Sequence, residues 1–243
     1  MNSFFTGVRE TLVPRAGGRH GPLPPLLVGM TVVTGLVDAF SYLVLGHVFV
    51  ANMTGNVVFL GFALVGAPGF SIGASVVALV SFWLGARIGG TFGARQREHR
   101  GRHLATAASV QAALLALAVI LAATSAHPVP ASLRYPLIVV LAVAMGIQNA
   151  TARQLAVPDL TTTVLTLTIT GIAADSATGG DRGSAAGRRV TSVTAMLAGA
   201  LIGAALVLHV AIVLPLVAAL VALAVIAISA GALGRADAAW VHP

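Results

Sequence analysis

Asp38, His47, Asn52, Thr54 and Asn56 lie within GLVDAFSYLVLGHVFVANMTGN, residues 35–56, a stretch that is otherwise apolar. An ionised side chain at the centre of a bilayer costs about 2.5–3.5 kcal/mol on insertion scales, so a carboxylate in such a run needs a use. Two uses fit the chemistry. A carboxylate facing a cavity relays a proton or a cation, and one facing a neighbouring helix locks the two together through hydrogen bonds. Asp38 is the sharpest single candidate for the first use, and Arg153 is the candidate ion-pair partner for the second. Asn52, Thr54 and Asn56 supply hydroxyl and amide groups at a helix start, with Asn52 or Thr54 as N-cap and Gly55 allowing close backbone approach.

A related string follows in the second half of the chain. Gly35-Leu-Val-Asp38-Ala39 aligns with Gly146-Ile-Gln-Asn149-Ala150, at an offset of 111. Asn52-Met-Thr54-Gly-Asn56-Val57 aligns with Asp159-Leu-Thr161-Thr162-Thr163-Val164 at an offset of 107, and Gly85-Ala-Arg-Ile-Gly89 with Gly199-Ala-Leu-Ile-Gly203 at 114. Three matches in one order point to an internal duplication. Asp38 thus has a neutral counterpart, and any shared site is asymmetric in charge. At helical spacing Thr162, Thr163, Thr166 and Thr170 share one broad face while Thr161 and Thr168 point away, so no continuous hydroxyl stripe forms. These hydroxyls either line a site or bond their own i−4 carbonyls.

The elements that must position these residues are membrane spans. The chain is 57% hydrophobic and 9% charged, against about 25% charged for a soluble domain, which excludes a soluble enzyme. Cysteine is absent, so disulfides, thiolate metal sites and cysteine nucleophiles are excluded. All 14 basic residues are arginines, mostly grouped between apolar runs; that distribution reads as membrane orientation rather than nucleic-acid binding. No HExxH or other metal-ligand spacing occurs, no phosphate-loop pattern with lysine, and no nucleophile–base constellation. No catalytic residue, metal or cofactor is expected. His47 and His209 sit at segment ends as interfacial residues, and Arg87 snorkels from its helix.

Apolar segments fall at 25–46, 49–67, 70–91, 104–124, 134–152, 160–174, 190–209 and 211–232. If all eight crossed, the arginine-rich loops 95–103 and 175–189 would face opposite sides, against the positive-inside tendency. If 49–67 and 160–174 are broken or re-entrant, six crossings remain. The N-terminus, both basic loops, Arg153 and Arg235 then share the cytoplasm. Each half becomes three crossings plus one broken segment, the two halves inverted. The expected organisation is a cytoplasmic segment 1–23, membrane repeat 1 over 24–124, an external loop 125–133, membrane repeat 2 over 134–232 and a cytoplasmic tail 233–243. The spacing of Gly85, Gly89, Gly199 and Gly203 lets helices approach closely, within one chain or between copies in a homo-oligomer.

GLVDAFSYLVLGHVFVANMTGNVVFLG and GIQNATARQLAVPDLTTTVLTLTITGIA resemble the two signature stretches of the YoaK-like family of bacterial integral membrane proteins. The resemblance covers nearly the whole chain. It implies a small inner-membrane protein with about six spans and supplies no substrate. The second stretch departs from family habit, with Thr166-Leu167-Thr168 where a T-G-T turn is usual.

The expectation is therefore an all-α, multi-pass protein of the lipid bilayer, with two broken segments meeting near the midplane. Its function is transport or conduction of a small solute or ion, without enzymatic activity. The site residues are Asp38, Asn52, Thr54, Asn56, Asn149, Thr161, Thr162 and Thr163. The alternative is a structural or partner-binding protein whose polar residues lock helices together, and a hydrated pocket between the motifs separates the two.

Overall fold

The fold is that of a computed structural model, which describes residues 2–13, 18–96, 98–124, 129–160, 165–176, 183–235 and 240–242. Among these, all regular structure is α-helical: α1 (Asn2–Leu12), α2 (Leu23–Val44), α3 (Met53–Leu64), α4 (Ile72–Arg95), α5 (Arg100–Ala123), α6 (Ala131–Leu155), α7 (Leu165–Ser176), α8 (Gly183–His209) and α9 (Leu214–Leu233). In hydrocarbon every backbone polar group must be satisfied within its own segment, and a helix achieves that. Starts are marked locally. Prolines occupy the first turns of α2 and α9, and Ser71 caps α4 by accepting from the Ala74 N–H at 3.3 Å.

Six helices, α2, α4, α5, α6, α8 and α9, are long and apolar enough to cross a membrane. With 12 residues each, α3 and α7 extend only about 18 Å and cannot span. The six long helices alternate in direction. The Arg100 guanidinium reaches the Leu155 carbonyl, so α5 starts where α6 ends, and Gly101 meets Gly234 at the end of α9. Gln96, just past α4, donates to Thr106 on α5 at 3.2 Å. The first turn of α2 packs with Leu104 and Leu155 in one apolar cluster. Arg19, Arg95, Arg100, Arg102, Arg153, Arg188, Arg189 and Arg235 therefore gather at one end of the bundle. Gly46, His47, Arg134 and His209 mark the other, where Gly46 packs against the Arg134 guanidinium.

The packing is reciprocal. A Cβ on Gly35 of α2 would overlap the Met196 carbonyl of α8, and one on Gly199 would overlap that of Val32. Likewise a Cβ on Gly146 of α6 would overlap the Phe82 carbonyl of α4, and one on Gly85 that of Val143. Gly89 faces Ile147 and Ala150, while Gly203 faces Leu36 and Ala39. Every partner is displaced by 111 residues on α2/α6 or 114 on α4/α8. The four glycines of GARIG and GALIG are thus occupied by crossings within the chain. Counterpart helices run antiparallel: Gly46, just past α2, lies beside Arg134 of α6, and Gln148 of α6 beside Thr34 of α2.

Polarity is distributed as in a membrane protein. The interior holds Thr31, Thr34, Ser75, Ser81, Gln111, Gln148 and Thr151, whereas Val80, Trp83, Leu201 and Ile228 lie more than half exposed on the outer faces. Arg87 stacks its guanidinium over Trp83, 5.2 Å from the ring centroid.

Two boundaries differ from the expected ones. The segment before α2 contains a helix, α1, whose Gly7 lies against Ser184 while Gly187 lies against Phe4 and Val8. And α8 starts at Gly183 rather than near 190, so Arg188 and Arg189 are helical; Asp159 binds both and keeps that turn docked.

Candidate functional site

Beyond α2, Leu45 caps the helix, and Gly46 and His47 turn the chain through positive φ (86° and 57°) into the link 48–52. Val48, Val50 and Ala51 are buried although their backbone is irregular, so its N–H groups need partners inside the protein. Asp38 supplies them. Its Oδ1 accepts from the Val50 N–H at 3.0 Å and the Ala51 N–H at 2.9 Å, and its Oδ2 accepts from the Asn52 side-chain amide. Asn56, the one buried residue of α3, completes the closure. Its Oδ1 accepts from the Phe49 N–H at 2.9 Å and its Nδ2 donates to the Phe49 carbonyl at 2.6 Å, as a neighbouring strand would. Tyr42, Phe49, Phe59 and Phe70 stack around this latch.

Asp38 is 4% exposed and makes no ion pair with Arg153. The antiparallel run of α2 and α6 is the reason. Gln148 touches Thr34, Asp38 lies four residues beyond that contact toward one end, and Arg153 lies five beyond it toward the other. Nine residues at 1.5 Å each separate them by about 13 Å along the bundle. Asn52 occupies the N-cap position of α3 but spends its side chain on Asp38, and Thr54 is exposed and outside the latch.

Among the described residues of the second string, Asn149 and Asp159 make their contacts apart from the Asp38 latch. Asn149 donates to its own i−4 carbonyl, Met145, at 3.0 Å and lines a crevice of about 530 Å³ with Arg153 and Gln154 near the arginine-rich end. The short helices do not meet at the midplane either: α3 packs on α4 and α7 on α8, at opposite ends, because each follows a helix that has already crossed. Thr161, Thr162 and Thr163 lie outside the described residues; of the threonines beyond them, Thr168 is buried and Thr170 exposed. Asp159 sits at φ 64° and accepts from Arg188 at 2.9 Å and Arg189 at 2.8 Å. Polar bridges between the halves include Gln148, whose amide donates to the Met30 carbonyl at 3.0 Å and to the Thr34 hydroxyl at 2.7 Å, and Gln154, whose amide donates to the Gly90 carbonyl at 3.1 Å. Gln148 is the residue next to Asn149 in the aligned motif.

A feature of another kind occupies the arginine-rich end. A cavity of about 420 Å³ is lined by Arg19, His20, Gln96, Arg100, His103 and Gln154, among others. The tail borders it: Trp240 and Val241 are buried, Trp240 against Gly21 and Gly101, and the Arg100 N–H donates to the Val241 carbonyl at 2.8 Å. Burial, then the positive charges of Arg100, Arg19 and Arg188, hold the His20 imidazole below its ordinary pKa of 6.5. The folded chain therefore binds fewer protons at His20 than the unfolded chain just below pH 6.5, and stability rises with pH through that window. Denaturation midpoints between pH 5 and 7.5 should climb less steeply in His20→Asn; equal slopes would remove His20 as the cause. Among the described residues no group of three or more His, Asp or Glu is placed to hold a metal ion.

A protein-family profile described as "Protein of unknown function (DUF1275)" matches residues 26–229. The chain belongs to this family. Within the DUF1275 match fall Asp38, Asn52, Asn56, Arg100, His103, Gln148 and Asn149, and outside it Arg19, His20 and the Trp240 tail. Over 151 residues the chain is 33% identical to the UPF0700 transmembrane protein YoaK of Bacillus subtilis (strain 168), covering 62% of this chain and 65% of that relative. The matched stretch thus spans just under two thirds of the relative's length. No solved structure matches. A YoaK-like, multi-pass helical membrane protein is what the comparisons and the six long apolar helices together support.

Proposed function

We propose that this member of the DUF1275 family is a secondary transporter or channel for a small solute, assembled from two inverted-topology repeats in the bacterial inner membrane. The observation that carries the reading is the contrast between the two ends: a cavity of about 420 Å³ with Arg19, His20, Arg100, His103 and Gln154 in its lining lies at the arginine-rich end, while at the opposite end the link 48–52 is buried and held by the Asp38–Asn56 latch. Paired halves with one accessible vestibule are the construction that alternating access needs. The reciprocal glycine crossings and the antiparallel counterparts support the inverted relation. Arginine bias supports an orientation with the cavity, both termini and α7 on the cytoplasmic side and the α3 end outside.

One observation favours a structural role for the first motif. Both Asp38 oxygens are consumed by the link, as in a protein whose buried polar groups only hold helices together. Reconstitution into liposomes with a solute panel under pH and Na⁺ gradients decides between the readings. Flux of at least one solute that depends on the protein is expected. Absence of flux across the panel would leave the scaffold.

A further inference from the structure

The lining of the 420 Å³ cavity is cationic without being neutralised. Among the described residues Arg19 makes no ion pair, and the acceptors that hold the Arg100 guanidinium are neutral: the Arg19 carbonyl at 3.3 Å, His20 Nδ1 at 3.3 Å and the Leu155 carbonyl. The nearby carboxylate of Asp159 is taken by Arg188 and Arg189. Arg100 is thus oriented, and of its five N–H donors two are unspent. His103, one turn along α5 and 4% exposed, lines the same cavity, and its Nε2 has no partner. Gln96 is tethered to Thr106 through Nε2 while its Oε1 is unpaired; a turn of the amide, which preserves the tether, presents an N–H instead. Buried polar atoms are normally paired, so two orphans on one cavity wall mark a place where something else supplies the partner.

The fold does not impose this chemistry. The counterparts of Gln96, Arg100 and His103, 114 residues on, are Val210, Leu214 and Val217. Positive-inside bias alone would leave Arg100 in water rather than held beside a recess behind the tail. Nor does the helix start supply the site, since the Arg100 N–H bonds Val241 and the Arg102 N–H bonds His99 Nδ1 at 3.0 Å.

From these contacts we infer that the cavity binds a phosphate-type oxyanion, with Arg100 and Arg19 as its charge partners and His103 and Gln96 as hydrogen-bonding neighbours. Arg100 keeps two charge-assisted donors, its Nε–H and one Nη1–H, Arg19 adds a second guanidinium, and the volume lies within the usual range for small-ligand pockets, about 300–1,000 Å³. This deepens the transport reading by naming the solute class. The same chemistry is offered by a free phosphate compound or by an anionic lipid headgroup.

Isothermal titration of inorganic phosphate into the full chain in a neutral detergent tests the site. Saturable binding is expected, weakened at least tenfold in Arg100→Gln and in Arg19→Gln, partly restored in Arg100→Lys, and unchanged in Arg102→Gln. Arg19 makes no side-chain bond, so its variant keeps the test valid if Arg100→Gln fails to fold. A second arm compares thermal stability in phosphatidylcholine nanodiscs with and without phosphatidylglycerol. Stabilisation by phosphatidylglycerol in the wild type but not in Arg19→Gln, with no phosphate binding, would assign the same site to a headgroup. Binding of neither, or binding indifferent to Arg19 and Arg100, overturns the inference. Phosphate binding without flux of any solute would remove the transport reading and leave the site. Flux without anion binding would do the reverse.

Discussion

Asp38→Ala should lower the stability of the detergent-solubilised protein by about 2–5 kcal/mol, while Asp38→Asn stays within about 1 kcal/mol of the wild type. The alanine variant strands the Val50 and Ala51 N–H groups in an apolar interior, and each buried orphan costs about 1–3 kcal/mol. Asparagine keeps an oxygen where Oδ1 accepts. The loss at Oδ2 is recoverable, because Asn52 can turn its amide and accept from the new Nδ2. Removing a buried carboxylate that no cation accompanies also removes a desolvation cost, which offsets part of the damage. The same pair of variants separates latch from relay. A latch predicts that Asp38→Asn transports and Asp38→Ala does not, and a relay predicts that both fail. Denaturation of the two proteins side by side checks the first half; equal losses in both would show that the charge, and not the acceptor oxygen, matters there.

Gly85→Ala and Gly199→Ala should each cost about 2–4 kcal/mol, and by the same amount within error. In both positions the added methyl would overlap a backbone carbonyl of the crossing helix, Val143 in one half and Val32 in the other. Backbone cannot turn aside as a side chain does, so the helices must separate and surrender the close contact that small residues allow. Gly61→Ala in α3 is the control. A Cβ there meets nothing within 4 Å, so the substitution gains up to about 1 kcal/mol of helix propensity. Tolerance of Gly85→Ala with loss in Gly199→Ala would mean that the two crossings are not equivalent.

Much of the fold was readable before any coordinates because lipid solvation leaves few choices. Runs of apolar residues must be helices, length separates a span from a 12-residue stub, and arginine bias demanded that two of the eight segments not cross. The matched glycines were legible for a related reason: at a backbone-to-backbone crossing a Cβ would overlap the facing carbonyl, as it would at Gly85 of GARIG and Gly199 of GALIG. The site was harder. The polar residues of 35–56 were visible, yet nothing local tells whether a carboxylate faces a cavity or the chain's own link 12 residues on. The pairing of Asp38 with Arg153 failed because the aligned motifs run antiparallel, and alignment alone does not say which ends meet. The cationic cavity was hidden by a prior: arginines between spans usually report orientation. Arg100 and His103, three residues apart on one helix face, were the available signal. What makes them a site is their convergence with Arg19 and Gln96 from other elements, which only folding creates.

All of this rests on the arginine-rich end facing the cytoplasm and the α3 end facing out. The chain has no cysteine, so a single reporter is unambiguous. Ala67→Cys, between α3 and α4, and Glu98→Cys, between α4 and α5, are treated in intact spheroplasts with a membrane-impermeant maleimide and again after permeabilisation. The account predicts labelling of Ala67→Cys in intact spheroplasts and of Glu98→Cys only once the membrane is opened. Labelling of Glu98→Cys from outside would contradict it.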